Sequence, residues 1–329
     1  MKILFSFFMV IALVLLAYAG VEMANLQFLF GVVMPYAAIA VFILGFIYRV
    51  MKWASSPVPF RIPTTCGQQE SLTWIKQNKI ENPSSIFGVI ARMALEVFFF
   101  RSLFRNLKTQ MNSGRLVYGE AKWLWLAGLA FHWSFLIIFV RHFRFFMQDV
   151  PALLKTIEGL DSFLQVGVPL LYMTDVVLLA AVTYLFFRRV FIPQIKYISL
   201  AADYFPLFLI LGVGISGVLM RYFYKVHIVG VKELVMGLVS FSPAIPQGID
   251  AIFYIHLFLV CSLLIYFPLS KLMHMGGVFL SPTRNMVNNS RMVRHINPWN
   301  YPVHVHTYEE YENDFREKMK KAGIPVEKE

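Results

Sequence analysis

Apolar residues in this chain come in long runs, not in periodic stripes. Six runs have the length and composition of membrane spans: residues 4–19, 28–47, 123–140, 166–187, 200–220 and 252–272. A bilayer core takes roughly 20 apolar residues of helix. Lipid offers backbone groups no partner, so each run predicts an α-helix. Isolated polar residues interrupt the last four. A long polar stretch, 48–122, separates the second run from the third. Within it, Ile86, Val89, Ile90, Met93, Val97, Phe100 and Phe104 recur at helical spacing over residues 85–104, with Arg92, Glu96, Arg101 and Arg105 among them. Pro83, Ser84 and Ser85 supply a start signal. The segment reads as a helix lying on the inner leaflet, since its charges argue against a further span. From residue 276 the chain is polar again, and an amphiphilic helix is predicted over 308–321.

This pattern predicts an all-α membrane protein built on a six-helix transmembrane bundle. Residues 1–48 hold two N-terminal spans and 49–120 an inner loop with the interfacial helix. Residues 121–276 form a four-helix unit, and 277–329 a tail. Lys2, the first run and Ala17-Tyr18-Ala19 also have the form of a cleavable signal, but a single positive charge favours a retained span.

Composition closes off other classes. Hydrophobic residues make up 58% and charged residues 15%, against about a quarter charged in soluble domains. With two cysteines, Cys66 and Cys261, the chain alone builds neither a disulfide scaffold nor a cysteine-bound iron–sulfur cluster. The net charge of +11 raises the question of nucleic acid. The position of the charges answers it differently. With the N-terminus inside, the inner segments 1–3, 48–122, 188–199 and 271–329 hold 24 of the 30 Lys and Arg residues. That is the distribution of a multi-pass protein of the inner (cytoplasmic) membrane with both termini cytoplasmic, and no nucleic-acid partner is expected.

The candidate chemistry lies in histidines. His132 and His142 are separated by about 15 Å of helix, and His256 and His274 by about 27 Å if their helix is continuous. The two helices run in opposite directions. His142 therefore meets His256 toward the outside, and His132 meets His274 toward the inside. Each pair could supply both axial ligands of a haem b, and bis-His ligation suits electron transfer over oxygen chemistry. The spacings differ by about 12 Å, which tilt or a kink at Pro268 must absorb. A lone intramembrane His is commonly a hydrogen-bonded packing residue. Four at matched depths point further, and a dinuclear metal site would want carboxylates or Cys that these spans lack.

Several residues could support two haems. Arg141, Arg144 and Arg221 at the outer face and Lys271 at the inner face are candidates for haem propionates, or are ordinary interfacial anchors. Gly212, Gly214, Ser216 and Gly217 form a small face open to a helix or a porphyrin plane. Asp175, an acid deep in a span, serves proton movement, pairs with a cation or bonds to a neighbouring helix. A quinol giving electrons to the outer site must also lose protons. His227 is the candidate acceptor, with Asp149 and Glu233 as alternatives. His295, His304 and His306 lack the cysteine that would complete a zinc set. Cys66 reads as a free thiol in a docking loop.

The histidine spacings, with two intervening helices, resemble the membrane cytochrome b (gamma) subunit of respiratory nitrate reductase over roughly residues 121–276, with one additional N-terminal span here. Further segments resemble the DsrM family, the cytochrome b subunits of sulfite-reduction-associated (Dsr) complexes. These are the inner-loop run 57–68 (PVPFRIPTTCGQ), Ser281-Pro282-Thr283-Arg284-Asn285, and 295–300 (HINPWN). The cytochrome b subunit of membrane heterodisulfide reductase is also similar. The resemblance implies menaquinol oxidation and two haems b at His132, His142, His256 and His274, and the outer cations with the polar inner surface opposite them place the quinol site at the outer face. It also implies a cytoplasmic iron–sulfur, heterodisulfide reductase-like partner, and further membrane and periplasmic Dsr-type subunits with a multihaem cytochrome c among them. The setting would be dissimilatory sulfur metabolism. The alternatives are a nitrate reductase or heterodisulfide reductase-like cytochrome b subunit, or a transporter or anchor without haem.

Overall fold

A computed structural model of the protein describes residues 1–56, 58, 61, 67–105, 108–119, 121–162, 170–293 and 304–328. Cys66, His295, most of the inner-loop motif, the 295–300 motif and residues 166–169 of the fourth apolar run lie outside them.

Helix α1 (Lys2–Tyr18) continues through a π-helical turn to Met23, and a second π-helical turn, Leu29–Val33, leads into α2 (Met34–Ala54). There follow α3 (Ile86–Phe99) and α4 (Arg101–Arg105), then strands β1 (Lys108–Asn112) and β2 (Arg115–Gly119). Next come α5 (Lys122–His142), α6 (Ala152–Asp161), α7 (Met173–Phe191), α8 (Pro193–Ile198), α9 (Ala201–Val218) and α10 (Ile228–Val239). The last elements are α11 (Ala251–Tyr266), the short α12 (His274–Gly277) and α13 (Tyr308–Lys321). The tail helix has its predicted bounds, because Thr307 and Glu310 close a capping box at its start.

Among the described residues, five helices are long and apolar enough to cross a membrane: Lys2–Met23, Leu29–Ala54, Lys122–Phe146, Ala201–Tyr224 and Ala251–Leu269. The predicted count was six. Helix α7 falls outside this set because Asp175 lies in its first turn and Arg188 and Arg189 in its last. It nevertheless packs between α5 and α9. Phe5, Phe8, Leu15 and Leu44 are exposed although they lie in the two most apolar helices. In water that would cost free energy in proportion to area; against hydrocarbon it costs nothing.

Helix α5 packs on α7, α7 on α9 and α9 on α11, while α1 fits between α9 and α11 and α2 covers α11. One core, with Val10, Ala17, Leu209, Tyr254, Phe258 and Leu259, joins α1, α9 and α11. A second, Leu178, Val182 and Ile210, joins α7 and α9, with Phe131, Phe135 and Ile138 of α5 against it. Helices α5 and α11, which carry three of the four paired histidines, are thus held at their spacing largely by helices that carry none.

Hydrogen bonds gather the predicted inner segments at one end. Lys2 Nζ donates to Ser199 O (2.9 Å) and Lys271 Nζ to Asp203 (2.7 Å). Arg92 donates to Thr283 O (3.0 Å), and Trp125 Nε1 at the start of α5 to Phe99 O (2.7 Å). Helix α3 lies within the predicted 85–104, with Ser85 Oγ capping Gly88 N. It ends at Phe100, which adopts the left-handed conformation. Ile86, Phe87 and Ile90 are exposed on one side. On the other, burial and then Arg284 pull the Arg92 guanidinium below its ordinary pKa. The hairpin at 108–119 was not predicted. Its signal is Asn112-Ser113-Gly114, where Ser113 and Gly114 both take positive φ, as a two-residue hairpin turn requires.

Helix α2 approaches the end of α11 most closely at Gly45, where a Cβ would come within 2.7 Å of Pro268 Cγ. A proline ring cannot swing aside, so Gly45→Leu is expected to destabilise the protein by about 1–3 kcal/mol through overpacking. A lowered thermal midpoint checks this, and Ile43→Leu on the exposed side of α2 serves as the control.

Candidate functional site

The structure brings His142 beside His256 and His132 beside His274. His142 and His256 have ring centroids 6.4 Å apart with planes nearly parallel, at 12°. His132 and His274 have centroids 5.9 Å apart with planes nearly perpendicular, at 85°. The unequal spacings are reconciled where α11 ends. Phe267–Leu269 is a 3-10 turn containing Pro268, Ser270 is fully extended (φ −120°, ψ −178°), and a second 3-10 turn, Lys271–Met273, leads to His274. Ser270 Oγ caps this turn by accepting from Leu272 N (3.2 Å). The span of five continuous turns expected for His256–His274 is therefore replaced by a break, and His274 belongs to α12.

Every ring has its Nδ1 occupied, three by a backbone carbonyl and one by a side chain. Nδ1 of His132 donates to Gly128 O (2.7 Å), that of His142 to Ile138 O (2.7 Å) and that of His274 to Lys271 O (2.9 Å). A carbonyl can only accept, so Nδ1 carries the proton and Nε2 keeps its lone pair. His256 reaches across to α9, where its Nδ1 is 2.9 Å from Ser216 Oγ. Ser216 commits its own proton to Gly212 O (2.7 Å), so its oxygen accepts from His256. The neighbouring Gly217 leaves room for that ring, since a Cβ there would lie 3.4 Å from Cε1. Fixing Nδ1–H and freeing Nε2 is how proteins present a histidine to a metal. The separation also fits: with metal–nitrogen bonds of about 2.0–2.1 Å and about 1.1 Å from nitrogen to ring centre, axial imidazoles put their centroids roughly 6.3 Å apart. The donor set is therefore suited to two bis-His haems.

The cations proposed for propionates have partners within the chain. Arg141 Nη2 bonds to Asp175 Oδ1 (2.7 Å), and its Nε lies 3.3 Å from Asp161 Oδ2 without hydrogen-bond geometry. Its guanidinium stacks on Tyr172 at 3.7 Å, from which Arg221 lies 4.0 Å away. Thr174 donates to Asp161 through N (2.9 Å) and Oγ1 (2.6 Å), and Tyr222 OH bonds to Asp175 Oδ2 (3.1 Å). Arg221 donates to Leu170 O (3.1 Å), Arg144 pairs with Glu158 (3.0 Å) and Lys271 with Asp203 (2.7 Å). Of the readings open for Asp175, cation pairing and bonding to a neighbouring helix are the ones the structure displays. The pairing of residues 34 apart leaves no local signature in a sequence.

His227, Asp149 and Glu233 are all exposed. Lys232 Nζ bonds to Gln148 O (2.9 Å), which brings α10 to the segment holding Asp149. None of the three side chains is hydrogen-bonded or ion-paired to a member of the histidine pairs. A cavity of about 300 Å³ at the same end is lined by Leu171, Asp175, Val176, Leu179, Val218, Tyr222 and Phe223. In the tail, His304, His306 and Glu310 are exposed with donor atoms within 4.8 Å of one another, and Glu310 is engaged in the helix cap.

Comparison with known proteins identifies the family. A nitrate reductase gamma subunit profile matches residues 84–295, which contain both histidine pairs. Two archaeal relatives are each described as an Hdr-like menaquinol oxidoreductase cytochrome b-like subunit. That of Archaeoglobus fulgidus is 45% identical over 278 residues, covering 82% of this chain and 83% of its own. That of Archaeoglobus profundus is 42% identical over 273 residues, 81% of each chain. The chain belongs to the nitrate reductase gamma subunit family.

Proposed function

From that membership, we propose that the protein is the dihaem cytochrome b subunit of a menaquinol-oxidising complex of the inner membrane. The observation that carries the reading is the set of four histidines in two facing pairs, each with Nδ1 occupied and Nε2 free. A haem b at each pair would supply a one-electron carrier with no open coordination position. His142 and His256 would hold the outer one, His132 and His274 the inner one. The chain's own part is to fix the tautomers, set the spacing of the rings and keep water out of the bundle.

Menaquinol would give up its electrons at the outer face, beside His142 and His256. His227 is the proposed proton acceptor there, with Asp149 and Glu233 as alternatives. The cavity lined by Asp175 and Tyr222 lies at that end and has the size of a small ligand site. The electrons would leave at the cytoplasmic face to an iron–sulfur subunit of heterodisulfide reductase type, seated on residues 51–79 and 276–329. Inward electron movement with outward proton release builds membrane potential. The relatives' description favours this complex type. The resemblance of 281–285 to Dsr-complex subunits extends the proposal to dissimilatory sulfur metabolism, with Dsr-type membrane and periplasmic subunits, a multihaem cytochrome c among them.

A reduced-minus-oxidised spectrum of the purified protein, with haem counting, tests the reading. Two b-type haems per chain are expected; no b-type absorption would refute it and favour a transporter or anchor. The ring planes add a finer expectation. Parallel imidazoles split the iron orbitals that share their plane, and perpendicular ones leave them nearly equal. Electron paramagnetic resonance of the oxidised protein is therefore expected to show an ordinary rhombic low-spin signal from the His142–His256 site. The His132–His274 site should give a strongly anisotropic one, and identical signals would contradict the 12° and 85° geometries.

A further inference from the structure

Arg49 lies on α2, ahead of residues 84–295 matched by the family profile. It shares a helix face with Phe46, three residues before it, and Trp53, four after. That face packs on α12. A Cβ on Gly276 would meet the Phe46 ring at 3.3 Å, and one on Gly277 the Trp53 ring at 3.6 Å. Helix α12 begins at His274.

The Arg49 guanidinium sits 5.4 Å from the Trp53 ring centre, and its Nε is buried without a hydrogen-bond partner. Among the described residues no carboxylate pairs with it. The four cations considered for propionates are already engaged: Arg141, Arg144 and Lys271 by carboxylates, and Arg221 by a carbonyl and aromatic rings. A guanidinium partly withdrawn from water with no counter-anion is costly. Its planar fork matches a carboxylate with two parallel hydrogen bonds.

We propose that Arg49 binds a carboxylate of the haem held between His132 and His274, and so anchors the inner cofactor from a helix outside the matched family region. The proposal rests on the dihaem reading above. A phospholipid phosphate offers the same anionic oxygens, and an arginine at a membrane interface often takes one. Here the guanidinium lies on the face that packs on the His274 segment, which favours the haem.

The test is a redox titration of the purified full-length protein and its Arg49→Gln and Arg49→Lys variants, followed through both b-type components. The inner component is identified as the one lost in His132→Ala. Removing a positive charge beside an iron favours its ferric form, so Arg49→Gln is expected to shift the inner component alone to lower potential. Arg49→Lys should shift it less. Selective loss of the inner haem in Arg49→Gln, with retention in Arg49→Lys, supports the same assignment. The shift should persist after exhaustive delipidation into detergent; one that disappears with the lipid assigns Arg49 to phosphate and overturns the proposal. So does an unchanged inner potential, a shift confined to the outer component, or loss of both haems in both variants. An unmutated protein without two b-type components would instead refute the dihaem reading, so the two failures are read from different samples.

Discussion

Replacing His142 or His256 by alanine is expected to abolish one b-type component and leave the other at its normal potential. His132→Ala and His274→Ala should abolish the complementary one. The expectation follows from pairing across antiparallel segments, with centroids 6.4 Å apart in one pair and 5.9 Å in the other. A haem with one axial histidine removed loses both a bond and the constraint that centres it. Quinol-driven electron transfer through the chain should stop in all four variants, because each pair depends on both of its histidines. Potentiometric titration with haem quantification checks this. If His142→Ala and His132→Ala remove the same component, the pairing is wrong.

Arg141→Ala is expected to be the most destabilising single change outside the histidines. The Arg141 side chain is 8% exposed and those of Asp161 and Asp175 are 3% and 14%. Removing the cation leaves two neighbouring carboxylates in a poorly solvated site. Breaking a buried pair from one side costs about 3–5 kcal/mol, and here one residue breaks two. The loss should appear as a lower thermal midpoint and a weakened outer component, since Arg141 directly precedes His142. Lys271→Ala is the comparison. Its side chain is 74% exposed, and exposed pairs contribute about 0–1 kcal/mol. Equal effects of the two substitutions would refute the ranking.

Much of this arrangement was legible in the sequence because hydrophobic length and histidine spacing are local quantities. The two pairs follow from positions 132, 142, 256 and 274 once the helices are antiparallel. What was not legible depends on distant contacts or on local backbone chemistry. Pro268 marked a bend, but the extended Ser270 and the separate α12 depend on a serine capping a 3-10 turn. Helix α7 carries charged residues near both ends, and its place in the bundle comes from packing between α5 and α9. Ser216 read as one of several small residues, and only the structure shows its hydroxyl against His256. Arg49 read as one more basic residue on the inner side. That no carboxylate among the described residues pairs with it is visible only when the partners of the other cations are known.

The break at Ser270 divides the four histidines unequally. Three ride on long helices of the bundle, whereas His274 opens a short segment that leads directly to the surface proposed to be cytoplasmic. That surface is tied to α3 and the loop before it, with Asn288 Nδ2 bonded to Asn82 Oδ1 at 2.6 Å and Arg92 to Thr283 O. A subunit seated there would bear on one axial ligand of the inner pair and leave the other untouched. Docking and the redox state of the inner site then become linked equilibria. Any free energy by which binding favours one oxidation state must return, by reciprocity, as tighter binding to that state. The protein would thereby sense, at its inner end, whether an acceptor is in place before an electron is committed to leave.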